Sequence, residues 1–459
     1  MIKVKKIIIN YIVILFILIA SYMLLGLLTS LIPPNLIKEN VIKSSELLQK
    51  DKDKKFYELG YKNEIIFPFT DALMINTAYS IDNSEPMKSF LLARKNYIPG
   101  QTKTQKIDTQ YDLSGEEKYI FSDKCISLTN ELYGLMHGDN ITTSYEYARY
   151  WHGYLPLLRI ELILFDLSVI RVVQIALMIG LVATLAFLLY KKIDLLTSVF
   201  FIIGLLYISI FVVANSINES WIFILSIIAS IILLTKKDKI KNIYMFFFIV
   251  GSVTNYIDLF TVPLISFGFT ATIYFLLLQK EEKNMTAKDY IVDIFKIGIN
   301  WVLGYALTWV FKWIIVEIGL KRDLIGQALE QARFRTESMK TGNPLSVIVI
   351  NAIYLSNIGL YLLIILGTGY TLEELIRKRK ENIDFKENLK NSIPYILIFS
   401  SPIVWYLVIK QHSETHHFLT YRLLSISIIN LFLVIKMMFK NKELDEDKNK
   451  KVEKVKNRK

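Results

Sequence analysis

The sequence contains a single cysteine, Cys125, so no disulfide can form within the chain and no cysteine-rich metal site is available. It also lacks the phosphate-binding pattern GxxxxGK followed by Ser or Thr, the dinucleotide pattern GxGxxG and the zinc-protease pattern HExxH. These absences argue against an ATP-hydrolysing enzyme. Any energy for a reaction is expected to come from an activated substrate or an ion gradient.

Charged residues are scarce as well, at 21% of the 459 residues, whereas 53% are hydrophobic. Ordinary globular proteins are about 45–50% apolar and about 25% charged. A soluble domain of this length could not bury so much apolar surface. The composition therefore indicates a polytopic membrane protein.

Apolar runs of about 18–25 residues predict roughly ten membrane-spanning helices in an all-α chain. They lie near 7–32, 167–190, 195–214, 219–235, 243–257, 259–278, 294–316, 346–368, 393–409 and 418–438. The first run is longer than the h-region of a cleaved signal, so we expect a retained anchor. The predicted parts are an anchor (1–33), an outer loop domain (34–156), a multi-span domain (157–438) and a basic tail (439–459).

The net charge of +12 is concentrated in short segments that ten spans would place on one side. Lys and Arg beside membrane spans mark the cytoplasmic face and meet anionic lipid headgroups. We therefore expect both termini in the cytoplasm, membrane lipids as partners and no nucleic-acid partner. Abundant Ile, Lys and Asn suggest an AT-rich bacterial genome and hence a bacterial plasma membrane.

The same topology leaves about 120 residues outside the membrane after the first span, too long for a plain connector. This loop carries helical patterns, and without disulfides it needs another source of stability, such as docking on the membrane domain. All five histidines map to the outer side: His137, His152, His412, His416 and His417. A function at the outer face is one interpretation; ordinary loop polarity is the other.

Asp71 follows Thr70 at the start of an amphipathic segment, Phe67 to Tyr79. An aspartate in a first helical turn favours the helix dipole by about 0.3–1 kcal/mol, which explains it structurally. As a carboxylate near the membrane surface, it could instead take a proton from an acceptor hydroxyl. Both interpretations remain open.

A strongly aromatic segment ends the outer loop and contains a cation and an imidazole: Arg149, Tyr150, Trp151, His152 and Tyr154. Aromatic rings stack on sugars and Arg can bind a phosphate, whereas aromatic belts are also common at membrane interfaces. The stretch 157–165 is too short to span and suits a helix in the interface.

Between the last two spans, the segment 410–422 contains His412, His416, His417 and Arg422. Zinc would require a further ligand that we cannot identify, so an anion site for a lipid-linked phosphate is favoured over a metal site. A polar hairpin loop is the alternative. Three ionisable residues lie in or beside predicted spans, where a charge is energetically unfavourable: Lys312, Glu317 and Asp258. They would be explained by structural ion pairs or by proton coupling in a transporter.

This layout resembles the GT-C class of membrane glycosyltransferases. The resemblance rests on many spans, a large first outer loop, Asp71 in the stretch Thr-Asp-Ala-Leu-Met, the stretch Tyr-Ala-Arg-Tyr-Trp-His-Gly and the basic outer loops. It implies a GT-C-like fold and transfer of a sugar from a polyprenyl-phosphate donor to a cell-envelope glycan, teichoic acid or glycolipid.

The resemblance also implies roles for individual residues. Asp71 would be the catalytic base, with Asp82 and Asp258 as alternatives. The donor phosphate would be held by the cationic and imidazole groups Arg149, His152, His416, His417 and Arg422. The sugar would stack on Tyr150, Trp151 and Tyr154. No cofactor is required, although a divalent metal remains an option because some members of the class use one.

Three other functions fit the sequence less closely. A transporter or flippase for a lipid-linked substrate would be expected to show internal repeats, and we find none. A polysaccharide polymerase usually carries its large loop late in the chain. A non-catalytic envelope-assembly scaffold would need only the apolar surfaces of the loop.

Overall fold

The computed structural model describes residues 2–51, 55–58, 61–64, 67–97, 110–111, 118–119, 126–138, 143–281, 285–337, 343–354, 365–374 and 384–439. Helices account for most of them. They are α1 (Ile2–Ser30), α2 (Lys38–Asp51), α3 (Phe67–Tyr79), α4 (Pro86–Leu92), α5 (Ile126–Met136), α6 (Leu155–Leu164), α7 (Leu167–Lys192), α8 (Leu195–Tyr207), α9 (Ile210–Val213), α10 (Ile217–Lys236), α11 (Ile243–Ile257), α12 (Leu264–Lys280), α13 (Ala287–Leu320), α14 (Leu324–Glu337), α15 (Pro344–Tyr354), α16 (365–374), α17 (Phe385–Val408), α18 (Lys410–Thr415), α19 (His417–Thr420) and α20 (Leu424–Met438).

The strands that the structure describes are short, and all of them lie in the predicted outer loop domain. They form three antiparallel pairs: β1 (Lys55–Glu58) with β2 (Tyr61–Glu64), β3 (Lys95–Tyr97) with β6 (Thr143–Tyr145), and β4 (Gln110–Tyr111) with β5 (Lys118–Tyr119). In the second pair Lys95 is opposite Tyr145, so the middle of the outer loop domain is tied to the segment near its C-terminal end. The chain is thus an α-helical membrane protein with small strand pairs in one loop.

Six helices among the described residues are long and apolar enough to cross a membrane. They are Lys5–Ser30, Leu167–Lys192, Ile217–Lys239, Ala287–Leu320, Phe385–Val408 and His417–Met438. Three shorter apolar helices are α8, α11 and α12. The expected multi-pass membrane protein is confirmed at this level. The count of ten stays a prediction, because the span expected at 346–368 lies partly outside the described residues, as does nearly all of the predicted tail.

Polar contacts join the helix ends that were predicted to share one side of the membrane. Lys436 pairs with Asp194, and Lys237 pairs with Glu281. The amide nitrogen Nδ2 of Asn388 donates to the carbonyl oxygen of Met438 at 3.0 Å. These contacts gather the ends of α8, α10, α12, α17 and α20, so the opposite ends of the same helices lie together at the other side.

Helices α11 and α13 pack closely because glycines face backbone in both directions. A Cβ atom at Gly251 would lie 2.0 Å from the carbonyl oxygen of Trp301, and one at Gly304 would lie 1.9 Å from that of Phe248. Small residues allow this approach in membrane helix pairs. The packing fixes the C-terminal end of α11 beside the C-terminal half of α13, where the candidate site lies.

The predicted outer loop domain is docked on the helix ends opposite those that carry Lys237 and Lys436. The guanidinium of Arg159 in α6, which is fully buried, donates to the carbonyl oxygen of Ala78 in the loop domain and to that of Thr29 at the end of α1, the latter at 3.2 Å. Lys312 of α13 donates to the carbonyl oxygen of Leu91 at 2.6 Å. The backbone N–H of Gly153 donates to the carbonyl oxygen of Tyr256 at 2.8 Å. Docking thus supplies the stability that disulfides would give in other outer domains.

Candidate functional site

Asp258 lies in the turn between α11 and α12, and its side chain is almost completely buried. Its carboxylate accepts the backbone N–H of Thr261 at 3.1 and 3.2 Å and also accepts the hydroxyl of Thr261. Burial raises the pKa of Asp258 to about 7, although the hydrogen bonds from Thr261 oppose this shift. No cation forms an ion pair with it among the described residues, so the carboxylate is suited to exchange a proton near neutral pH.

Phe260 occupies the same turn with a backbone φ of 65°, a left-handed conformation that is rare for an aromatic residue. Its ring centroid lies 5.6 Å from that of Trp309, 5.5 Å from that of Trp405 and 5.0 Å from that of His412. Strained backbone of this kind costs of order 1–3 kcal/mol and persists where surrounding contacts hold it, often at functional sites.

A cation and an imidazole adjoin this turn. The guanidinium of Arg335, from α14, lies 5.4 Å from the ring centroid of Phe260 and donates to Nδ1 of His412. Burial, together with the neighbouring Arg335 and His416, holds the pKa of His412 well below its ordinary value. His412 is therefore neutral, and its Nδ1 atom is the acceptor. The positive charge stays on Arg335, beside the Asp258 turn.

Arg149 is a second cation, and it contacts the C-terminal half of α13 through its backbone. Its carbonyl oxygen accepts the indole N–H groups of Trp309 at 2.6 Å and Trp313 at 3.1 Å. Its guanidinium carbon lies 5.8 Å from the ring centroid of Tyr147. The side chain is 6% exposed, and its Nη2 has no hydrogen-bond partner among the described residues. A buried guanidinium without a carboxylate can bind an anionic oxygen.

Further buried polar atoms surround this turn without a hydrogen-bond partner in the part of the chain that the structure describes. They are Oδ1 of Asn255, the hydroxyl of Tyr256, Nε1 of Trp405 and Oγ of Ser413. Buried polar groups are normally paired, so such a concentration marks a place where a polar molecule can bind. We call Asp258, Phe260, Arg149, Arg335 and His412 the Asp258 site.

Asp71 lies elsewhere, in an ion-pair group between the outer loop domain and the membrane helices. Its Oδ2 accepts from Nη2 of Arg171 at 2.9 Å, and its Oδ1 accepts the backbone N–H of Ile217 at 3.0 Å. Arg171 also donates to Asp51 at 2.7 Å. Burial raises the pKa of Asp71 to about 6, and Arg171 opposes this shift. These contacts give Asp71 a structural role, and its predicted role as a base stays a prediction.

The predicted sugar-stacking residues are buried by protein. Trp151 is fully buried, and its Nε1 donates to the carbonyl oxygen of Thr308 at 2.8 Å. Tyr154 is 2% exposed, and its hydroxyl lies 3.2 Å from Nδ1 of His152. The ring of Tyr150 stacks on Trp309 at 5.7 Å, so of the three it lies nearest the Asp258 site. In this conformation Trp151 and Tyr154 offer no free face to a sugar.

His152, predicted to bind phosphate, is buried within the aromatic segment that ends the outer loop. Its Nε2 lies 2.6 Å from the carbonyl oxygen of Tyr147, and its backbone φ is 54°. Burial lowers the pKa of His152 to about 3, so the ring is neutral. Its contacts organise the loop, and they leave its phosphate-binding role a prediction.

The remaining predicted residues, His416, His417, Arg422 and Asp82, do not gather at one place. The ring of His416 lies 4.7 Å from that of His412, next to the Asp258 site. Nδ1 of His417 lies 2.9 Å from the carbonyl oxygen of Glu414. Arg422 pairs with Glu219 of α10 at 3.0 Å. Asp82 is exposed in a turn. Its carboxylate accepts from the N–H of Ser84 at 2.8 Å and from the hydroxyl of Ser84 at 2.7 Å.

Three participants were not singled out from the sequence. Arg335 lies in one of the predicted basic outer loops, where the sequence alone does not distinguish it from its neighbours. Arg171 and Glu219 lie within the predicted spans 167–190 and 219–235. For these two, the available signal is a charge within an apolar run, which usually faces a protein interior and has a partner.

Among the described residues, no three His, Cys, Asp or Glu side chains come together in a group that could hold a metal ion. Comparison of the chain with family models, with curated proteins and with solved structures finds no match.

Proposed function

We propose that the chain is a membrane glycosyltransferase that moves a sugar from a polyprenyl-phosphate donor to a cell-envelope glycan, teichoic acid or glycolipid. The observation that carries the proposal is Asp258, a buried carboxylate with a pKa of about 7 that has no ion-pair partner among the described residues. The guanidinium of Arg335 lies over the ring of Phe260. Arg149 accepts the indole N–H of Trp309 through its carbonyl oxygen, and its guanidinium lies by the ring of Tyr147. A base in the same region as two cations suits transfer from a phosphate-linked donor.

In the proposed reaction the acceptor hydroxyl attacks the anomeric carbon of the donor sugar. The new carbon–oxygen bond forms as the bond to the phosphate oxygen breaks, and Asp258 takes the proton of the hydroxyl. The lipid phosphate leaves with the bonding electron pair. Arg149 and Arg335 stabilise the negative charge that develops on it. Asp258 replaces Asp71 as the proposed base, because Asp71 is occupied by Arg171 and the Ile217 N–H.

We place the site at the outer face of a bacterial plasma membrane, with about ten spans and both termini cytoplasmic, in a GT-C-like arrangement. The basic segments that meet at the opposite helix ends support this orientation, because Lys and Arg accumulate on the cytoplasmic side. A lipid-linked donor would then present its phosphate near the outer headgroups, at the level of the helix ends that carry Asp258.

The test compares envelope glycans by mass spectrometry in a deletion strain that carries wild-type protein, no protein or an Asp258→Asn variant. A sugar present with the wild type should be missing from both other strains. Asp238→Asn is the matched control, because Asp238 is an exposed aspartate in the short turn after α10, at the helix ends opposite the Asp258 site. Immunoblots of membrane fractions establish equal amounts of each protein.

The outcomes separate the competing functions. Loss of the sugar in the null strain with full retention in Asp258→Asn would remove Asp258 as the base and leave the enzyme class. An unchanged glycan in all strains would reject glycosyl transfer and favour a transporter or scaffold.

A further inference from the structure

A second group of buried polar atoms lies at the outer ends of α7, α8 and α10. Gln174 of α7 is 1% exposed, and neither Nε2 nor Oε1 of its amide has a hydrogen-bond partner among the described residues. A buried amide with no partner is costly in any apolar environment, and especially within a membrane span. The amide of Gln174 is therefore available to hydrogen-bond a polar molecule.

The contacts of Asp71 show that Arg171 of α7 and Ile217 of α10 lie at the same depth in the protein. Its carboxylate bridges Arg171 of α7 and the N–H of Ile217 of α10, at 2.9 and 3.0 Å. Gln174 lies about one turn after Arg171, and Trp221 lies about one turn after Ile217. Both helices run away from the outer end, so these two side chains are at similar depth.

The residues around that level carry the same kind of unsatisfied atom. Oδ1 of Asn218, Nε1 of Trp221 and the hydroxyl of Tyr207 are buried and have no hydrogen-bond partner in the described part of the chain. Tyr207 ends α8 at the same side of the protein. We call Gln174, Tyr207, Asn218 and Trp221 the Gln174 group.

The chemistry of the Gln174 group is neutral. It offers an amide that both donates and accepts, a carbonyl acceptor, an indole donor, a phenol and two aromatic rings. The neighbouring charges are already paired, Arg171 with Asp51 and Asp71, and Glu219 with Arg422. Sugar hydroxyls, which donate and accept at once, match this set better than an ion does.

Contacts connect this group to the Asp258 site. Glu219, next to Asn218, pairs with Arg422, and Nη1 of Arg422 donates to the carbonyl oxygen of Phe418 at 2.6 Å. The ring of Phe418 lies 5.7 Å from that of His416, which adjoins His412. A chain of contacting residues, which passes through Phe418, therefore leads from one group to the other.

We propose that the Gln174 group is a carbohydrate subsite that binds the sugar part of the acceptor. The assignment of this sugar to the acceptor rests on the proposed glycosyl transfer. The donor phosphate is held by cations at the Asp258 site, whereas neutral hydroxyls are held between α7, α8 and α10.

The binding test uses full-length protein in nanodiscs, incubated with the total lipid extract of the source membranes. After washing, bound lipids are identified by liquid chromatography and mass spectrometry. Wild-type protein should retain lipids with a carbohydrate headgroup, and Gln174→Leu should retain at least fivefold less. Equal retention by both proteins, or retention of phospholipids alone, would overturn the subsite.

A stability measurement separates a ligand-binding amide from a structural one. Gln174→Leu should leave the Tm of the purified protein unchanged or raise it, because the substitution removes an unsatisfied buried amide. Gln279→Leu is the matched control, since the Gln279 amide donates to Asn391 at 2.7 Å and accepts from Tyr395 at 2.8 Å. Its Tm should fall. A similar fall in Gln174→Leu would show that ordered water makes Gln174 structural and would reject the subsite.

The glycan assay distinguishes this inference from the function on which it rests. If Asp258→Asn loses the envelope sugar and Gln174→Leu keeps it, the transferase stands and the subsite fails. If the strain without the protein also keeps the sugar while Gln174→Leu loses carbohydrate-lipid binding, the proposed transfer fails and the carbohydrate site stands.

Discussion

The pH dependence of the proposed reaction follows from the burial of Asp258. A carboxyl with a pKa of about 7 is roughly 9% ionised at pH 6 and roughly 91% ionised at pH 8. Only the ionised form can accept a proton, so the rate of the wild-type protein should rise about tenfold across this interval. Asp258→Asn removes the base and should lower the rate by about one hundred- to ten-thousandfold.

Thr261 provides a finer perturbation of the same group. Its hydroxyl and backbone N–H both donate to the Asp258 carboxylate, which favours the ionised form and lowers its pKa. Thr261→Val removes the hydroxyl bond at almost constant volume. A hydrogen bond to a charged group contributes about 1.5–3 kcal/mol, which corresponds to about one to two pKa units. The rise in rate should therefore move to higher pH by at least about one unit.

The assay follows incorporation of labelled sugar into acceptor in washed membranes between pH 5.5 and 9. Thr261→Ser is the control, because it keeps the hydroxyl and should keep the wild-type profile. A wild-type rate that is flat between pH 6 and 8 would refute the reasoning. So would a Thr261→Val profile shifted to lower pH, since loss of a donor cannot favour the carboxylate.

Three further predictions concern the surroundings of the site. Arg171→Met should lower the free energy of unfolding by about 3–5 kcal/mol, because Asp51 and Asp71 lose their shared cation. Chemical denaturation in detergent measures this, and an unchanged denaturation midpoint would contradict it. Gly304→Ala should cost about 1–3 kcal/mol and lower the Tm, whereas Gly180→Ala, with open space around it, should not. Arg149→Gln should lower transfer by about 10- to 100-fold without lowering the Tm, and a Tm loss alone would indicate a structural role.

Local patterns in the sequence were sufficient to predict the membrane class. Long apolar runs predict helices that cross a bilayer, because a helix satisfies its own backbone hydrogen bonds within the lipid. Basic segments between the runs predicted which helix ends lie together, and the contacts of Lys436 and Lys237 agree with that grouping. The docking of the outer loop domain was also expected, because a disulfide-free domain needs a partner surface.

The site itself required the tertiary structure. Asp258, Arg335 and His412 belong to three separate outer segments, and no periodic pattern relates residues so far apart in the chain. The left-handed backbone of Phe260 is imposed by rings from α13, α17 and α18, which local propensity would not predict. Likewise, the sequence could propose Asp71 as a base, but only the packing of α3 against α7 and α10 shows that its carboxylate is occupied by Arg171 and Ile217. Residue types follow from the sequence, whereas the partner of each charge is decided by how the helices pack.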